Sequence, residues 1–190
     1  MGLTGHTFDL ITKHCNMNGS MLELGDQIIY FGNQYGAYST PYFKKHYPKL
    51  KHICIDIKPE QHAVVKDLRE PLEMGLFDSI TNAGTTEHVS TKIGFYNAFK
   101  HIHESLAVGG VVVHENPKTG NWKGHGEHYM TESFYHSLAN DMNYDILEIG
   151  EHPAMHNTTD GWNIYCVLRK KSDNKFVSEK TFNEYDFRQS

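Results

Sequence analysis

Short apolar segments alternate with longer amphipathic segments along most of the chain, which predicts strands that alternate with helices. Ile53–Ile57 is a β-branched run typical of a strand buried on both faces of a parallel sheet, and Val111–Val113 is the clearest strand in the sequence. From Ile93 to Leu106 apolar residues recur at helical spacing, and Gly109–Gly110 predicts the end of this helix.

The other predicted elements follow from the same patterns. In chain order they are a helix over Thr4–His14, a strand over Met21–Leu24, a helix over Tyr42–Tyr47, strands over Ala63–Val65 and Phe77–Asn82, a helix over Glu132–Leu138, and strands over Tyr144–Ile149 and Trp162–Leu168. A polar loop is predicted from Glu115 to Tyr129, and a turn over Asn157–Gly161. The C-terminal tail shows little hydrophobic pattern.

This order of elements predicts an α/β protein with a mostly parallel sheet, helices on both faces and an antiparallel C-terminal hairpin at one edge. We expect a single domain over residues 1–190, with an N-terminal helical segment at 1–19, a core at 20–170 and a C-terminal tail at 171–190.

Composition narrows the possible functions. A net charge of −5 argues against nucleic-acid binding as the main activity, and no apolar run approaches the roughly 20 residues of a membrane span. Because no secretory signal is visible, we expect a cytoplasmic protein whose three cysteines are reduced. The fourteen histidines lack a cysteine pair or a His-Glu-x-x-His helix, so we interpret them as surface and hydrogen-bonded groups rather than as a metal cage.

The candidate site lies where the predicted strands end, because ligands of open α/β sheets bind beyond the carboxyl ends of the strands. Gly25 follows the first strand, where a glycine lets the backbone approach a ligand closely. Asp56 ends the second strand and is placed to accept hydrogen bonds from a ribose diol. This spacing predicts a nucleoside-like ligand.

Six short motifs then stand in a fixed order along the chain. They are Leu22–Gly25, Ile55–Ile57, Asp67–Leu68, Phe77–Ile80, Glu87–Val89 and Leu106–Val112. Together they resemble the class I S-adenosylmethionine-dependent methyltransferases, and the resemblance runs from about Met21 to Leu168. It implies a Rossmann-like sheet, S-adenosylmethionine as cofactor, and methyl transfer to a small acceptor. Because the residues expected at the acceptor pocket are polar and aromatic rather than aliphatic, we prefer a saccharide or nucleotide-sugar hydroxyl or amine as the acceptor.

The resemblance also implies which residues contact the cofactor. It places the methionine part near Glu23 and Gly25, the ribose hydroxyls at Asp56, the adenine beside Asp67 and Leu68, and the sulfonium at a pocket floor formed by Asn82 and Gly84.

The first motif departs from the family pattern. The family usually continues this motif with further glycines, whereas Asp26–Ile29 follow Gly25 here. One interpretation is that the loop is rebuilt around side chains such as Gln27. The other is that cofactor affinity is lost, or that the chain is a non-catalytic protein that binds S-adenosylmethionine or a nucleoside.

Three histidines are the candidates for the base that acts on the methyl acceptor. For a hydroxyl acceptor a histidine is the natural base, and the candidates are His88 after the fourth strand and His125 and His128 in the loop after the fifth. Metal-dependent members of the family place an acid three residues before a Glu-His pair, where this chain has Gly84, so no metal is expected. Alternatively, Glu87 and His88 open a helix whose dipole favours the carboxylate.

Overall fold

The computed structural model describes residues 2–58, 61–153 and 161–189. The strands are β1 (Ser20–Leu24), β2 (Lys51–Asp56), β3 (Val64–Val65), β4 (Phe77–Ala83), β5 (Leu106–Pro117), β6 (His128–Met130), β7 (Tyr144–Pro153), β8 (Trp162–Lys170) and β9 (Phe187–Gln189). The helices are α1 (Gly5–His14), α2 (Ser39–His46), α3 (Lys92–Ser105), α4 (Glu132–Met142) and α5 (Glu179–Phe182).

Seven strands form one sheet in the order β3-β2-β1-β4-β5-β8-β7. The first five in this order are parallel to one another, and β8 pairs antiparallel with both β5 and β7. This arrangement confirms the predicted fold class, including the antiparallel hairpin at one edge. Because β1 lies between β2 and β4, the chain reverses its direction of strand addition there, which opens a crevice at the carboxyl ends of these strands.

Helices cover both faces of the sheet because neighbouring strand residues point to opposite sides. Met21 packs in a core with Leu10, Ile11 and Phe43 from α1 and α2. Leu22, the next residue, packs in a second core with aromatic residues of α3 and α4. Among the described residues, no helix is long and apolar enough to cross a bilayer.

The helix α3 ends at Ser105, four residues before the predicted stop at Gly109–Gly110. Leu106 already pairs with Phe77, and the next pair along the ladder joins Val111 to Ser79, so the intervening residues form a bulge. The Lys170 ammonium, fully buried, donates to the carbonyl oxygens of His103 and Leu106, both at 2.9 Å. These bonds add a side-chain donor to carbonyls at the end of α3, where a helix offers few backbone donors.

Strand β2 differs from its prediction as a strand buried on both faces. Ile53 and Ile57 are 36% and 53% exposed, whereas Ile55 between them is buried. The helix that packs against β2 is α2, which shares a core with Met21 rather than with Ile55. The predicted strand Ile53–Ile57 is therefore partly exposed at both ends on one face.

The C-terminal tail belongs to the core, which its sequence pattern did not predict. Phe182 is fully buried and Phe176 nearly so, and both pack among the aromatic residues of α3 and α4. Strand β9 pairs antiparallel with β6, within the segment predicted as a polar loop. That loop is also shortened at its start, since Glu115–Pro117 continue β5. Of the predicted turn at Asn157–Gly161, residues 157–160 lie outside the described part of the chain.

The packing of the tail predicts a large loss of stability in the variant Phe182→Ala. Removing a fully buried ring should lower the free energy of unfolding by about 3–5 kcal/mol, measured by urea denaturation. Lys180→Ala on the exposed side of the same short helix is the matched control and should change it by less than about 0.5 kcal/mol. Equal effects of the two changes would contradict the role of the tail in the core.

Candidate functional site

A cavity of about 410 Å³ lies at the carboxyl ends of β1, β2 and β4. Its walls come from the five segments that follow or end strands of the parallel sheet: Gly25–Gln27, Ile55–Ile57, Lys66–Arg69, Gly84–Thr85 and His88–Ser90. The predicted residues Gly25, Gln27, Asp56, Asp67, Leu68, Gly84 and His88 are all among them. The topology therefore brings seven predicted site residues to one crevice.

The loop after β1 is built around the side chain of Gln27. The Gln27 amide nitrogen donates to the carbonyl oxygen of Leu24 at 2.8 Å and to the hydroxyl of Thr85 at 3.1 Å. Gly25 has a φ of +87°, and a Cβ at this position would lie 2.4 Å from that nitrogen. The Gln27 Oε1 atom is buried and accepts no hydrogen bond from the described residues. A buried acceptor without a partner calls for a donor that the described residues do not supply.

The Asp56 carboxylate is held at the end of β2 by backbone donors. Its two oxygens accept from the N–H groups of Asp26 at 3.1 Å and of Lys58 at 2.8 Å. The side chain of Asp26 in turn accepts from the backbone N–H groups of Gln61 and His62. The loops after β1 and β2 are thus joined to each other around the cavity rim, and Asp56 is oriented before any ligand binds.

Asp67 lies at the cavity with a partner that the sequence analysis did not foresee. Arg69 Nε contacts its oxygens at 2.9 and 3.0 Å, and Arg69 Nη2 contacts Oδ2 at 2.6 Å. The Arg69 guanidinium lowers the pKa of Asp67. Leu68 between them is 8% exposed and supplies an apolar part of the wall. The predicted contact of Asp67 with an exocyclic amine would compete with this ion pair.

Glu23 and Asn82, both predicted to contact the cofactor, lie behind the cavity rather than in its wall. Glu23 is fully buried and accepts hydrogen bonds from the Ser39 hydroxyl and from His52 Nε2, the latter at 3.2 Å. Asn82 Nδ2 donates to the Thr86 hydroxyl at 2.8 Å. Both side chains make their hydrogen bonds within the protein, because β1 and β4 are buried on both faces around these residues.

Glu87 and His88 stand in a 3₁₀ turn (Thr86–His88) that follows β4. Glu87 is fully buried, and Asn116 Nδ2 donates to its Oε2 at 2.9 Å. Its other oxygen, Oε1, accepts no hydrogen bond from the described residues and lies 3.7 Å from His88 Nε2. Burial raises the pKa of Glu87 to about 7, whereas burial and the nearby His125 lower the pKa of His88 to about 4. Near neutral pH, Glu87 is therefore a stronger base than its histidine neighbour.

His125 reaches this pair from the loop between β5 and β6. Its ring centroid lies 4.9 Å from that of His88, and burial lowers its pKa. The Tyr129 hydroxyl holds the loop by accepting from the N–H of His125 at 3.0 Å and donating to the carbonyl of Trp122 at 2.7 Å. Gly126 allows the close approach, since a Cβ there would lie 2.9 Å from Glu87 Cγ.

The structure does not bring His128 to the cavity. Its ring is fully buried and stacks on Phe95 with centroids 4.2 Å apart and an interplanar angle of 4°. Burial lowers its pKa to about 4. Of the three predicted bases, His88 and His125 therefore lie next to each other, and His128 packs in the core. Glu87 is the group that sequence reasoning missed, although its position beside His88 was a signal.

Comparison with solved structures finds this architecture in proteins of low sequence identity. A 1,6-didemethyltoxoflavin-N1-methyltransferase from Burkholderia thailandensis, with bound S-adenosylhomocysteine, matches with a TM-score of 0.66 at 13% identity over 88% of this chain and 78% of that chain. A SAM-dependent methyltransferase from Methanosarcina mazei matches with a TM-score of 0.64 at 15% identity over 90% and 99%. The N-methyltransferase NodS from Bradyrhizobium japonicum, in complex with S-adenosylhomocysteine, gives 0.61 at 16% over 88% and 85%.

No protein-family model matches the sequence, and no curated protein matches it either. At identities of 13–16% the likeness to the solved structures is one of fold. The chain has the class I methyltransferase fold. In this methyltransferase fold the cavity lies at the switch point of the sheet, where β1 separates β2 from β4.

Glu87, His88 and His125 also form a set that could hold a cation beside the cavity of the methyltransferase fold. One donor atom from each lies within 4.8 Å of the other two. No metal is expected from the sequence, because Gly84 lacks a ligand side chain, and that expectation stays a prediction. The unpartnered Oε1 of Glu87 is equally suited to accept a proton.

The buried carboxyl predicts a pH-dependent difference between the wild type and Glu87→Gln. In the folded protein the pKa of Glu87 is about 7, above its ordinary value of 4.5, so its contribution to stability is lost as pH rises through 7. Between pH 5 and pH 8 the wild type should lose about 2–3 kcal/mol of unfolding free energy relative to the variant. Urea denaturation at both pH values, with chelator present, measures this difference.

Glu127→Gln is the matched control, because Glu127 is exposed and lies in the loop that packs on Glu87. Its difference from the wild type should stay the same at both pH values. A pH-independent difference for Glu87→Gln as well would show that the Glu87 carboxyl is ionised in the folded protein throughout this range.

Proposed function

We propose that this protein is an S-adenosylmethionine-dependent methyltransferase that acts on a small polar acceptor. The observation that carries the proposal is the cavity at the carboxyl ends of β1, β2 and β4, with Asp56 fixed at its rim and an unpartnered amide oxygen of Gln27 in its wall. The solved methyltransferases that share the fold, two of them described with S-adenosylhomocysteine, support it.

The residues of the cavity fit this cofactor. A volume of about 410 Å³ is within the roughly 300–1,000 Å³ of small-molecule sites. The Asp56 carboxylate would accept from the ribose hydroxyls, and Gln27 Oε1 would accept from the ammonium of the methionine part. Leu68 and Ile57 offer apolar surface for the adenine. This fit favours the interpretation in which the loop is rebuilt around Gln27 over the one in which affinity is lost.

When bound, the cofactor supplies a methyl group on a positively charged sulfur. The chain has to position the acceptor, exclude water and take up a proton where the acceptor is a hydroxyl. Glu87 Oε1 is the acceptor best suited to that proton, because it has no hydrogen bond to give up and its pKa is about 7. His88, in the cavity wall, and His125 would form the sides of the acceptor pocket.

The acceptor is proposed to be a saccharide or nucleotide-sugar hydroxyl or amine. The groups next to the cavity on this side are polar or aromatic, with His125 placed between His88 and the indole of Trp122. The centroids of His125 and Trp122 lie 5.1 Å apart. Such a surface suits ring-shaped polar molecules, which combine flat faces with hydroxyls.

S-adenosylhomocysteine should bind the wild-type protein, and Asp56→Ala should weaken binding by about 1.5–3 kcal/mol in isothermal titration calorimetry. The physical reason is the loss of a charged acceptor for two ribose hydroxyls. Asp56→Asn keeps one oxygen acceptor and should lose less. Asp9→Ala, an exposed carboxylate on α1, is the control and should bind like the wild type.

Wild-type protein that does not bind S-adenosylhomocysteine would overturn the proposal. Binding that survives Asp56→Ala unchanged would instead remove the ribose assignment and leave the cofactor in place. Binding without any S-adenosylhomocysteine formation from S-adenosylmethionine, across a panel of monosaccharides, amino sugars and nucleotide sugars, would favour the non-catalytic alternative.

With an acceptor from that panel, Glu87→Gln should lower turnover by about 10²–10⁴-fold while leaving S-adenosylhomocysteine affinity within a few-fold. His88→Gln and His125→Gln should have smaller effects, because the pKa of each is lowered and neither is the stronger base. His128→Gln, in the core, should act through stability alone. Rates are measured with chelator present, since no divalent cation is expected to be required.

A ranking in which His88→Gln or His125→Gln has the largest effect would replace Glu87 by that histidine as the base. Turnover within a few-fold of wild type in all four variants would mean that the enzyme acts by positioning alone. Activity that disappears with chelator and returns with magnesium would contradict the expectation that no divalent cation is required.

A further inference from the structure

A second cluster of ligand-type side chains lies on the other face of the sheet. Val111, Val113 and Glu115 alternate along β5 toward α1, whereas Asn116 points toward Glu87. There His6 from the first turn of α1 and His152 from the end of β7 meet the Glu115 carboxylate. One donor atom from each of the three residues lies within 4.8 Å of the others.

Two spacings in this cluster, one to each oxygen of the Glu115 carboxylate, are close to those of a tetrahedral metal site. His6 Nδ1 lies 3.4 Å from Glu115 Oε2, and His152 Nε2 lies 3.2 Å from Glu115 Oε1. Ligands at about 2.0–2.2 Å from a tetrahedral zinc ion are separated by roughly 3.3–3.6 Å. Side-chain adjustments on the order of 1 Å would bring all three donors to bonding distance of one ion.

The outer contacts hold the donors in the orientation that a metal requires. His152 Nδ1 donates to the carbonyl oxygen of Pro153 at 2.9 Å, which leaves Nε2 as the free ring nitrogen. That Nε2 is buried and makes no aligned hydrogen bond with the described residues, although Glu115 is close. Thr7 and Asn163 donate to the two carboxylate oxygens at 2.6 and 3.0 Å. Metal-binding histidines and carboxylates are typically supported in this way.

The charge of the cluster is compatible with a bound cation. The Glu115 side chain is 3% exposed, and within the described part of the chain its ion-pair partners are the two imidazoles, with no lysine or arginine among them. A buried carboxylate needs compensating positive charge, which the imidazoles supply when they are protonated and which a bound ion would supply in place of those protons. The side chain of His6 is 34% exposed, so an ion can enter from solvent and keep water as a further ligand.

We propose that His6, Glu115 and His152 form a zinc site that fastens α1 to the sheet. Two histidines and one glutamate are a common zinc donor set with an open position. The cluster of Glu87, His88 and His125 is less prepared for an ion, since its unpartnered Glu87 oxygen is 3.7 Å from an imidazole that is 45% exposed. The zinc site does not depend on the proposed methyltransferase activity.

The test is calorimetric titration of untagged protein, stripped with chelator, with zinc chloride. We expect one tight site per chain and a melting temperature that rises with zinc. His6→Gln and His152→Gln should each weaken binding by at least about 100-fold, beyond the 10–100-fold typical of an outer contact. Cobalt substituted for zinc should give the visible absorption of a tetrahedral site in the wild type and not in these variants.

His136→Gln and His88→Gln are the matched controls and should keep the tight site. His136 lies on the exposed side of α4, and His88 tests the other cluster. Circular dichroism checks that His6→Gln, a partly exposed change in a first helical turn, leaves the fold intact. Absence of tight zinc binding would overturn the proposal, and so would tight binding that is lost in His88→Gln but retained in His6→Gln and His152→Gln.

Discussion

The buried side-chain amide of Asn82 fixes the floor of the site on which the other groups depend. Its Nδ2 donates to the Thr86 hydroxyl at 2.8 Å and to His114 Nδ1 at 3.0 Å, and its Oδ1 accepts from the Thr86 backbone N–H at 3.1 Å. In a dry interior each lost partner costs about 1–3 kcal/mol, so the end of β4, the 3₁₀ turn and β5 are held in one arrangement. That arrangement determines where Glu87 and His88 lie.

Asn116 extends this network to the acidic group. It donates to Glu87 Oε2 at 2.9 Å and accepts from the Tyr135 hydroxyl at 3.0 Å. One carboxylate oxygen is thus satisfied and the other is left without a hydrogen bond from the described residues. Burial raises the pKa of Glu87 and lowers that of His88, so a carboxyl that titrates near neutral pH lies beside a neutral imidazole.

Around the cavity, side chains rather than further glycines shape the loops that follow the strands. Gln27 fills the space beside Gly25 and joins it to Thr85, and Arg69 neutralises Asp67. The loops after β1 and β2 are joined through Asp26 and Asp56. The polar side chains around such a cavity are oriented before a ligand arrives. Fewer side chains and loops then have to be ordered when the ligand binds.

The sequence by itself determined the fold class and most of the cavity, because strand periodicity and the parallel order of elements bring Gly25, Asp56, Asp67 and Gly84 to one edge. Tertiary structure decided which polar residues are free. Glu23 and Asn82 are used internally, and His128 is stacked on Phe95. It also assembled His6, Glu115 and His152, which are far apart in sequence and meet only when α1, β5 and β7 pack. Local sequence patterns indicate the secondary structure of a segment and which of its residues are exposed. Which side chains meet across the sheet depends on how distant segments fold together.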